Sequence, residues 1–283
     1  MSYLHALADL WPSGLGGDVM VFVVTLSCVR FVLRAVRLHV LIPNEHQIRA
    51  AMACFSVGFL ANLLAPLRLG LVARPVILKT LTGTTLATGV LITATERLLD
   101  VAVLALLAAP LLPGNPLLTW LSWLVGACAL LWGASRVLPR EHARQIQEAV
   151  HALTQRPRHA SFAFLLTALD LGLLLVLLDR LFSQWTGVPH DLGTLLSFVL
   201  AIVGAMTFSP TPGGAGGYEA AGTMALVARG APAPEAAAAT LAARILAYGA
   251  FVGMSGVGVV LGGSAVREVL QRARAGETSD TPQ

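Results

Sequence analysis

The sequence predicts an all-α polytopic membrane protein made of two inverted repeats, each with a broken, re-entrant helical hairpin. Three observations lead there. The 283 residues are 56% hydrophobic and only 12% charged, with mean hydropathy +0.75, which sets the chain among polytopic membrane proteins and apart from soluble domains. Apolar runs recur at the length that spans a bilayer. Two of these runs are interrupted by proline and glycine, most sharply at FSPTPGGAGGYE, residues 208–219.

Continuous runs of about 20 apolar residues fall near 17–36, 83–109, 117–134, 160–182 and 234–262. Two others are broken: 48–65 stops at Pro66 and resumes to Lys79, and 190–209 stops at the quoted cluster and resumes to about Arg229. Proline removes an amide donor and clashes with the preceding turn, and glycine weakens a helix by about 1 kcal/mol, so both clusters end their helices. Broken backbone at membrane depth persists only where protein covers it or a wet cavity adjoins it. Each broken run is therefore expected to enter and leave on one side.

No Lys or Arg precedes Arg30, so the N-terminus is expected to be retained rather than cleaved as a signal. One transmembrane domain is expected over 1–262: a first repeat at about 17–109, a linking helix and cytoplasmic connector at 110–159, and a second repeat at about 160–262. Within the connector, PREHARQIQEAVHALTQRPR at 139–158 reads as a solvated or interfacial helix, and 263–283 reads as a disordered cytoplasmic tail.

With both broken runs returning to their own side, one face collects Arg30, Arg34, Arg37, Arg49, Arg74, Lys79, Arg136, Arg140, Arg144, Arg156, Arg158, Arg267, Arg272 and Arg274, and the other only Arg180 and Arg229. The positive-inside rule makes the first face cytoplasmic. A multi-pass inner-membrane protein with its N-terminus outside and its C-terminus in the cytoplasm follows. The excess of base is thus an orientation signal, and no nucleic-acid groove is implied.

Shifting the sequence by 147 residues aligns Gly70 with Gly217, Gly83 with Gly230, Thr93 with Thr240 and Arg97 with Arg244. Each half then reads helix, broken hairpin, helix, and the two hairpins open to opposite sides. Inverted repeats with broken helices at the midplane are a recurrent plan of alternating-access transporters.

The charge assignment leaves Arg68, Arg97 and Arg244 in the membrane with Glu96, Asp100 and Glu219, and with Asp170 as a further candidate. Each unpaired charge at a helix centre costs about 2.5–3.5 kcal/mol, so the set must be paired or hydrated. Thr93, Arg97 and Asp100 share one helical face, as do Thr240, Arg244 and Tyr248, and the two stripes are expected to face each other. Two readings stay open: a neutral salt-bridge network that fixes helix packing, or arginines that meet an anion, since guanidinium suits phosphate oxygens bidentately. Gly213, Gly214, Gly216 and Gly217 lead into a helix expected near Tyr218, whose free amides would favour an anion. Glu219 would cap that helix or act as a counter-ion.

Catalytic and metal chemistry finds no support. Cys28, Cys54 and Cys128 are odd in number without ligand spacing, the seven histidines fall at segment ends or in connectors, and GGAGG follows no strand. Neither an enzyme nor a cofactor is expected.

Four motifs in order, NLLAPLRLG at 62–70 followed by Arg74, ATERLLD at 94–100, PTPGGAGGYE at 210–219 and AARILAY at 242–248, resemble the lysylphosphatidylglycerol synthase transmembrane region, a flippase-like domain family. The likeness covers about residues 20–262. It implies a polytopic protein that handles lipids, its multidomain relatives moving an aminoacylated phospholipid from the inner to the outer leaflet. By motif match, Pro66, Arg68, Gly70, Arg74, Glu96, Arg97 and Asp100 carry over in the first half, and Pro210, Pro212, Gly213, Gly214, Gly216, Glu219 and Arg244 in the second. The chain departs from the family pattern at Leu71, where an acid is usual, and at Tyr218, where a base is frequent. It also lacks the aminoacyl-transferase domain and an N-terminal span.

The function expected from these readings is a lipid transporter. It would hold a phosphate-bearing headgroup, of phospholipid or polyprenyl phosphate type, on Arg97 and Arg244, with Glu219 and Asp100 as alternating counter-ions and Arg68, Glu96 and Tyr218 around them. A proton-coupled small-anion transporter and a non-transporting scaffold for a lipid-modifying enzyme are the alternatives.

Overall fold

The computed structural model describes residues 17–42, 48–65, 69–108, 156–182, 191–209 and 211–263. The predicted span at 117–134, nearly all of the connector, the tail, Cys128, Pro66, Arg68 and Pro210 lie outside the described residues. Among those described are eight α-helices, a 3-10 turn and no strand. They are α1 (Gly17–Leu41), α2 (Ile48–Leu64), α3 (Leu69–Thr82), α4 (Leu86–Ala108), α5 (Pro157–Phe182), α6 (Leu192–Phe208), the turn Pro212–Gly214, α7 (Gly217–Val227) and α8 (Ala233–Leu261). The chain is all-α, as its composition and apolar periodicity predict.

Helices α1, α5 and α8 are long and apolar enough to cross a membrane. The 23 residues of α4 have the length too, at about 1.5 Å rise per residue, but carry Glu96, Arg97 and Asp100 mid-helix. The 11 residues of α7 rise only about 16 Å, half the hydrocarbon thickness. Its partner α6 starts where α7 ends: Arg229 reaches Asp191 at 4.0 Å and Ser197 Oγ at 2.9 Å. These two helices form a hairpin whose tip is the glycine cluster. Asp191 caps α6 by accepting from the Thr194 amide (2.8 Å) and hydroxyl, and these bonds hold its carboxyl below the usual carboxylate range.

The halves share one packing plan. In the first, α2 pairs with α3 and α3 with α4; in the second, α6 pairs with α7 and α7 with α8. Between halves α1 packs on α5, α8 on α2 and α4 on α6. Exchanging the halves therefore exchanges the partners. Two of the aligned positions have like local geometry. Gly83 and Gly230 both take positive φ, 66° and 96°, at matching inter-helix turns. Thr93 donates to the Gly89 carbonyl (2.9 Å), as Thr240 does to the Ala236 carbonyl (2.8 Å).

One buried cluster gathers Leu177, Phe182, Leu196, Phe198 and Leu226, and a second gathers Phe31, Leu38, Leu78 and Ile92. A relay of edge-to-face rings links them: Phe55 to Phe31, Phe251, Phe59, Tyr248, Tyr218, Phe198 and Phe182, neighbouring centroids being 4.8–6.3 Å apart. Such pairs add about 0.5–1.5 kcal/mol each beyond burial. In the first hairpin the backbones of α2 and α3 approach closely. A methyl group at Gly70 would collide with the Gly58 carbonyl and the Asn62 side chain. Gly70→Ala is therefore expected to cost about 1–3 kcal/mol, read as a fall in melting temperature in detergent, whereas Gly172→Ala, where nothing lies within 4 Å, should not.

Candidate functional site

Arg30, Arg34 and Arg37 are spaced i, i+4, i+7 and share one face of α1. That face turns into the bundle. Arg30 Nε donates to Asp170 Oδ1 (3.0 Å) and to the Asp170 carbonyl (3.2 Å), and Arg34 Nε donates to Asp170 Oδ2 (3.0 Å). One turn away, Arg37 Nη1 donates to Asp100 Oδ1 (2.5 Å) and to Thr167 Oγ1 (3.0 Å), while its Nη2 reaches Glu96 Oε1 (3.3 Å). The other oxygen of Glu96 accepts from Arg74 Nη1 (2.8 Å), and the other oxygen of Asp100 from Arg97 Nη1 (3.2 Å). Five arginines from α1, α3 and α4 thus meet three carboxylates from α4 and α5 in two ion-pair networks, Arg30 and Arg34 on Asp170 and Arg37, Arg74 and Arg97 on Glu96 and Asp100, which follow each other along one face of α1 as a single cluster of charge. Glu96 is its buried hub, with a side chain 1% exposed.

This cluster corrects the charge bookkeeping. Arg30, Arg37 and Arg74 are buried and Arg34 is half-buried, so these four are not solvated side chains at a face of the bundle. They are held inside because α4 and α5 present carboxylates to them. Helix α1 correspondingly runs to Leu41, past the expected end at 36. From Arg30 to Arg37 the helix climbs about 10 Å, too far for one interfacial ring. Asp170, only a further candidate in the sequence, joins the two halves.

The opening of the cluster is formed by side chains of unequal exposure: Arg97 is 50% exposed, Asp100 33% and Arg34 31%. Arg97 lies on the exposed side of α4 with Val90 and Val101. Arg30 and Arg34 also stand over the Phe251 ring, at 5.9 and 5.6 Å from its centroid, and Arg74 over Phe55 at 5.0 Å.

A second, smaller constellation forms at the tip of the α6–α7 hairpin. Gly213, Gly214 and Gly216 take positive φ of 58°, 74° and 81°, a region L side chains rarely adopt. The reversal brings the Gly213 carbonyl to Arg244 Nη2 (3.0 Å). Glu219 accepts from Arg244 with one oxygen and from the Gly216 amide (2.8 Å) with the other, so a single carboxylate caps α7 and neutralises Arg244. The guanidinium lies between the Tyr218 and Tyr248 rings, 5.4 and 5.3 Å from their centroids. A side chain at Gly213 would touch Leu63 at the end of α2, so the bare tip of the second hairpin fits against the first. Gly214 packs against Met206 and Gly217 lies beside Ser209.

The residues expected around the hairpin are therefore brought together as Arg244, Glu219, Gly213, Gly216 and Tyr218. Glu96, Arg97 and Asp100 also meet, but with Arg37 and Arg74 rather than with Arg244. No ion pair or hydrogen bond joins the two groups among the described residues, and the Thr93 and Thr240 stripes are not face to face, because α4 packs on α3 and α5 while α8 packs on α1, α2 and α7. Arg30, Arg34 and Arg37 are the site residues the sequence reading left out, and Asp170 was only a further candidate in it. The i, i+4, i+7 spacing of the arginines in an apolar helix, and one lone acid in another, carried that signal. Cys28 and Cys54 are free thiols, and no group of three or more metal-ligating side chains occurs among the described residues.

The lysylphosphatidylglycerol synthase TM region family matches residues 5–256. The chain belongs to that family. Both constellations, and every described helix that builds them up to the last turns of α8, lie inside the family match. No curated protein and no solved structure matches the chain. Membership together with the apolar helices makes this a membrane protein.

Proposed function

We propose that this membrane protein is a lipid carrier of the flippase type: it takes a phosphate-bearing headgroup into the arginine cluster and moves it between the leaflets of the inner membrane, working as two inverted repeats. The carrying observation is that arginines stand mid-helix in an apolar bundle, with Arg34 and Arg97 open to a ligand and Arg37 and Arg74 behind them. A cation kept at that depth is costly, and guanidinium pairs phosphate oxygens bidentately. The family's name, from a synthase of a phosphate-containing lipid, supports a lipid rather than a soluble anion. Arg244 serves a second role. It is held by Glu219 and the Gly213 carbonyl, and a headgroup reaching the hairpin tip would replace Glu219, giving the differential affinity that a change of state requires.

The test is leaflet transfer of a fluorescent phosphate-bearing lipid in proteoliposomes. Arg97→Gln and Arg244→Gln, each shown to be folded by its melting curve, should lower the protein-dependent rate at least about tenfold, the loss of roughly one charge-assisted hydrogen bond. Transfer at the wild-type rate in both folded variants would leave the arginines structural and return the protein to a scaffold role.

A further inference from the structure

The cluster around Glu96 is out of charge balance. Among the described residues, Arg30 and Arg34 oppose Asp170, and Arg37, Arg74 and Arg97 oppose Glu96 and Asp100: the two adjoining networks together hold five positive charges against three negative, whereas Arg244 and Glu219 balance one for one. A surplus of two in an apolar bundle is not a packing device, since a network that only fixes helices is neutral at least cost. A second, independent observation points the same way. Arg37 Nε and Arg74 Nη2 are buried donors with no hydrogen-bond partner among the described residues, although both side chains are at least nine-tenths buried. A buried unmet donor on a charged group is expensive, and two of them in the cluster with the surplus call for acceptor oxygens. Asp100 is shared by Arg37 from within and Arg97 from outside, and Glu96 by Arg37 and Arg74, so a chain of ion pairs runs from the exposed Arg97 to both residues that carry those donors.

We infer that the cluster takes a doubly charged phosphate group, a phosphomonoester or diphosphate headgroup, in preference to the singly charged phosphodiester of ordinary phospholipids. This rests on the lipid-carrier reading above and narrows its substrate class. A dianion removes the surplus of two, and its terminal oxygens, three on a monoester, supply acceptors for Arg97, Arg34 and the unmet donors. A diester carries one charge and two free oxygens, and leaves one positive charge uncompensated.

The test is titration of the purified full chain in detergent, followed by native mass spectrometry, with dioleoyl phosphatidic acid as the monoester, dioleoyl phosphatidylglycerol as the diester and glycerol 3-phosphate as the soluble monoester. Phosphatidic acid should bind more tightly than phosphatidylglycerol by on the order of tenfold, the screened value of one extra charge contact. Its affinity should rise between about pH 5 and pH 8 as the second phosphate proton, with a pKa of about 6, is lost, while the diester stays flat and so reports any titration of the protein itself. Arg97→Gln should weaken the monoester selectively. Asp100→Asn, which raises the surplus by one and frees Arg97, should tighten it. Equal binding of the two lipids without a pH trend would overturn the dianion site and leave the lipid-carrier reading standing. Glycerol 3-phosphate binding with the expected pH and variant responses, without either lipid, would support the dianion site and overturn the lipid as its source. Binding of none of the three probes would overturn both.

Discussion

Glu96→Gln is expected to destabilise the protein by about 3–5 kcal/mol, because it removes the one carboxylate that two buried arginines share, stranding Arg74 and leaving Arg37 with Asp100 alone. Glutamine keeps the size but not the charge, and its NH2 group would point at Arg37 or Arg74 as donor against donor. In a detergent melt this should appear as a fall of roughly 10 °C, at about 2–4 °C per kcal/mol for a chain this long. Its cause can be isolated. Adding Arg74→Met removes one stranded charge, so the double variant should recover part of the loss, with a coupling of about 0.5–3 kcal/mol. A single variant that melts with the wild type, or a double variant that only adds a second loss, would show that Glu96 is not the hub.

Asp170→Asn should be as severe, about 3–5 kcal/mol, for a different reason. Asp170 is the only acid on α5 that receives α1 among the described ion pairs inside the bundle, accepting from Arg30 and Arg34 at once. Its loss uncouples the first helix of each half as well as leaving Arg30 buried and unpaired. Hydrogen exchange should therefore quicken in α1 and α5 together, and much less in the α6–α7 hairpin. Arg34→Gln offers the contrast: with its side chain 31% exposed, its pair is partly solvated and should be worth about 1 kcal/mol or less. Equal losses in Asp170→Asn and Arg34→Gln would contradict the burial gradient along this face of α1.

Most of the helical frame was legible in the sequence because its signals are local. Apolar length and Pro/Gly punctuation placed the described helices close to their observed ends. The Arg244 and Glu219 constellation was legible for the same reason: a lone arginine, a lone glutamate and a glycine-rich break in apolar surroundings have few ways to be satisfied. The larger cluster was not, because the contacts that Arg30, Arg34 and Arg37 make in it span 59 to 140 residues. Counting every arginine near a segment end as interfacial hid Arg30, Arg34, Arg37 and Arg74, since the count registers position along the chain and not the direction a side chain takes around a helix. Arg30, Arg34 and Arg37 share a helical face by the same i, i+4, i+7 spacing as Thr93, Arg97 and Asp100, and that stripe is the sequence signal of the larger cluster.

The pairing of Arg30 with Asp170 across 140 residues also sets a constraint on biogenesis. Helix α1 leaves the ribosome carrying three guanidiniums, and Asp170 follows only after roughly 7–28 s of synthesis at about 5–20 residues per second. During that interval the first helix has no acid from α5 to meet and must wait at the membrane surface, inside the insertion machinery or against lipid phosphates. Integration of the amino-terminal segment is thus completed only when the second half of the polypeptide arrives, which ties the insertion of the two halves into one event.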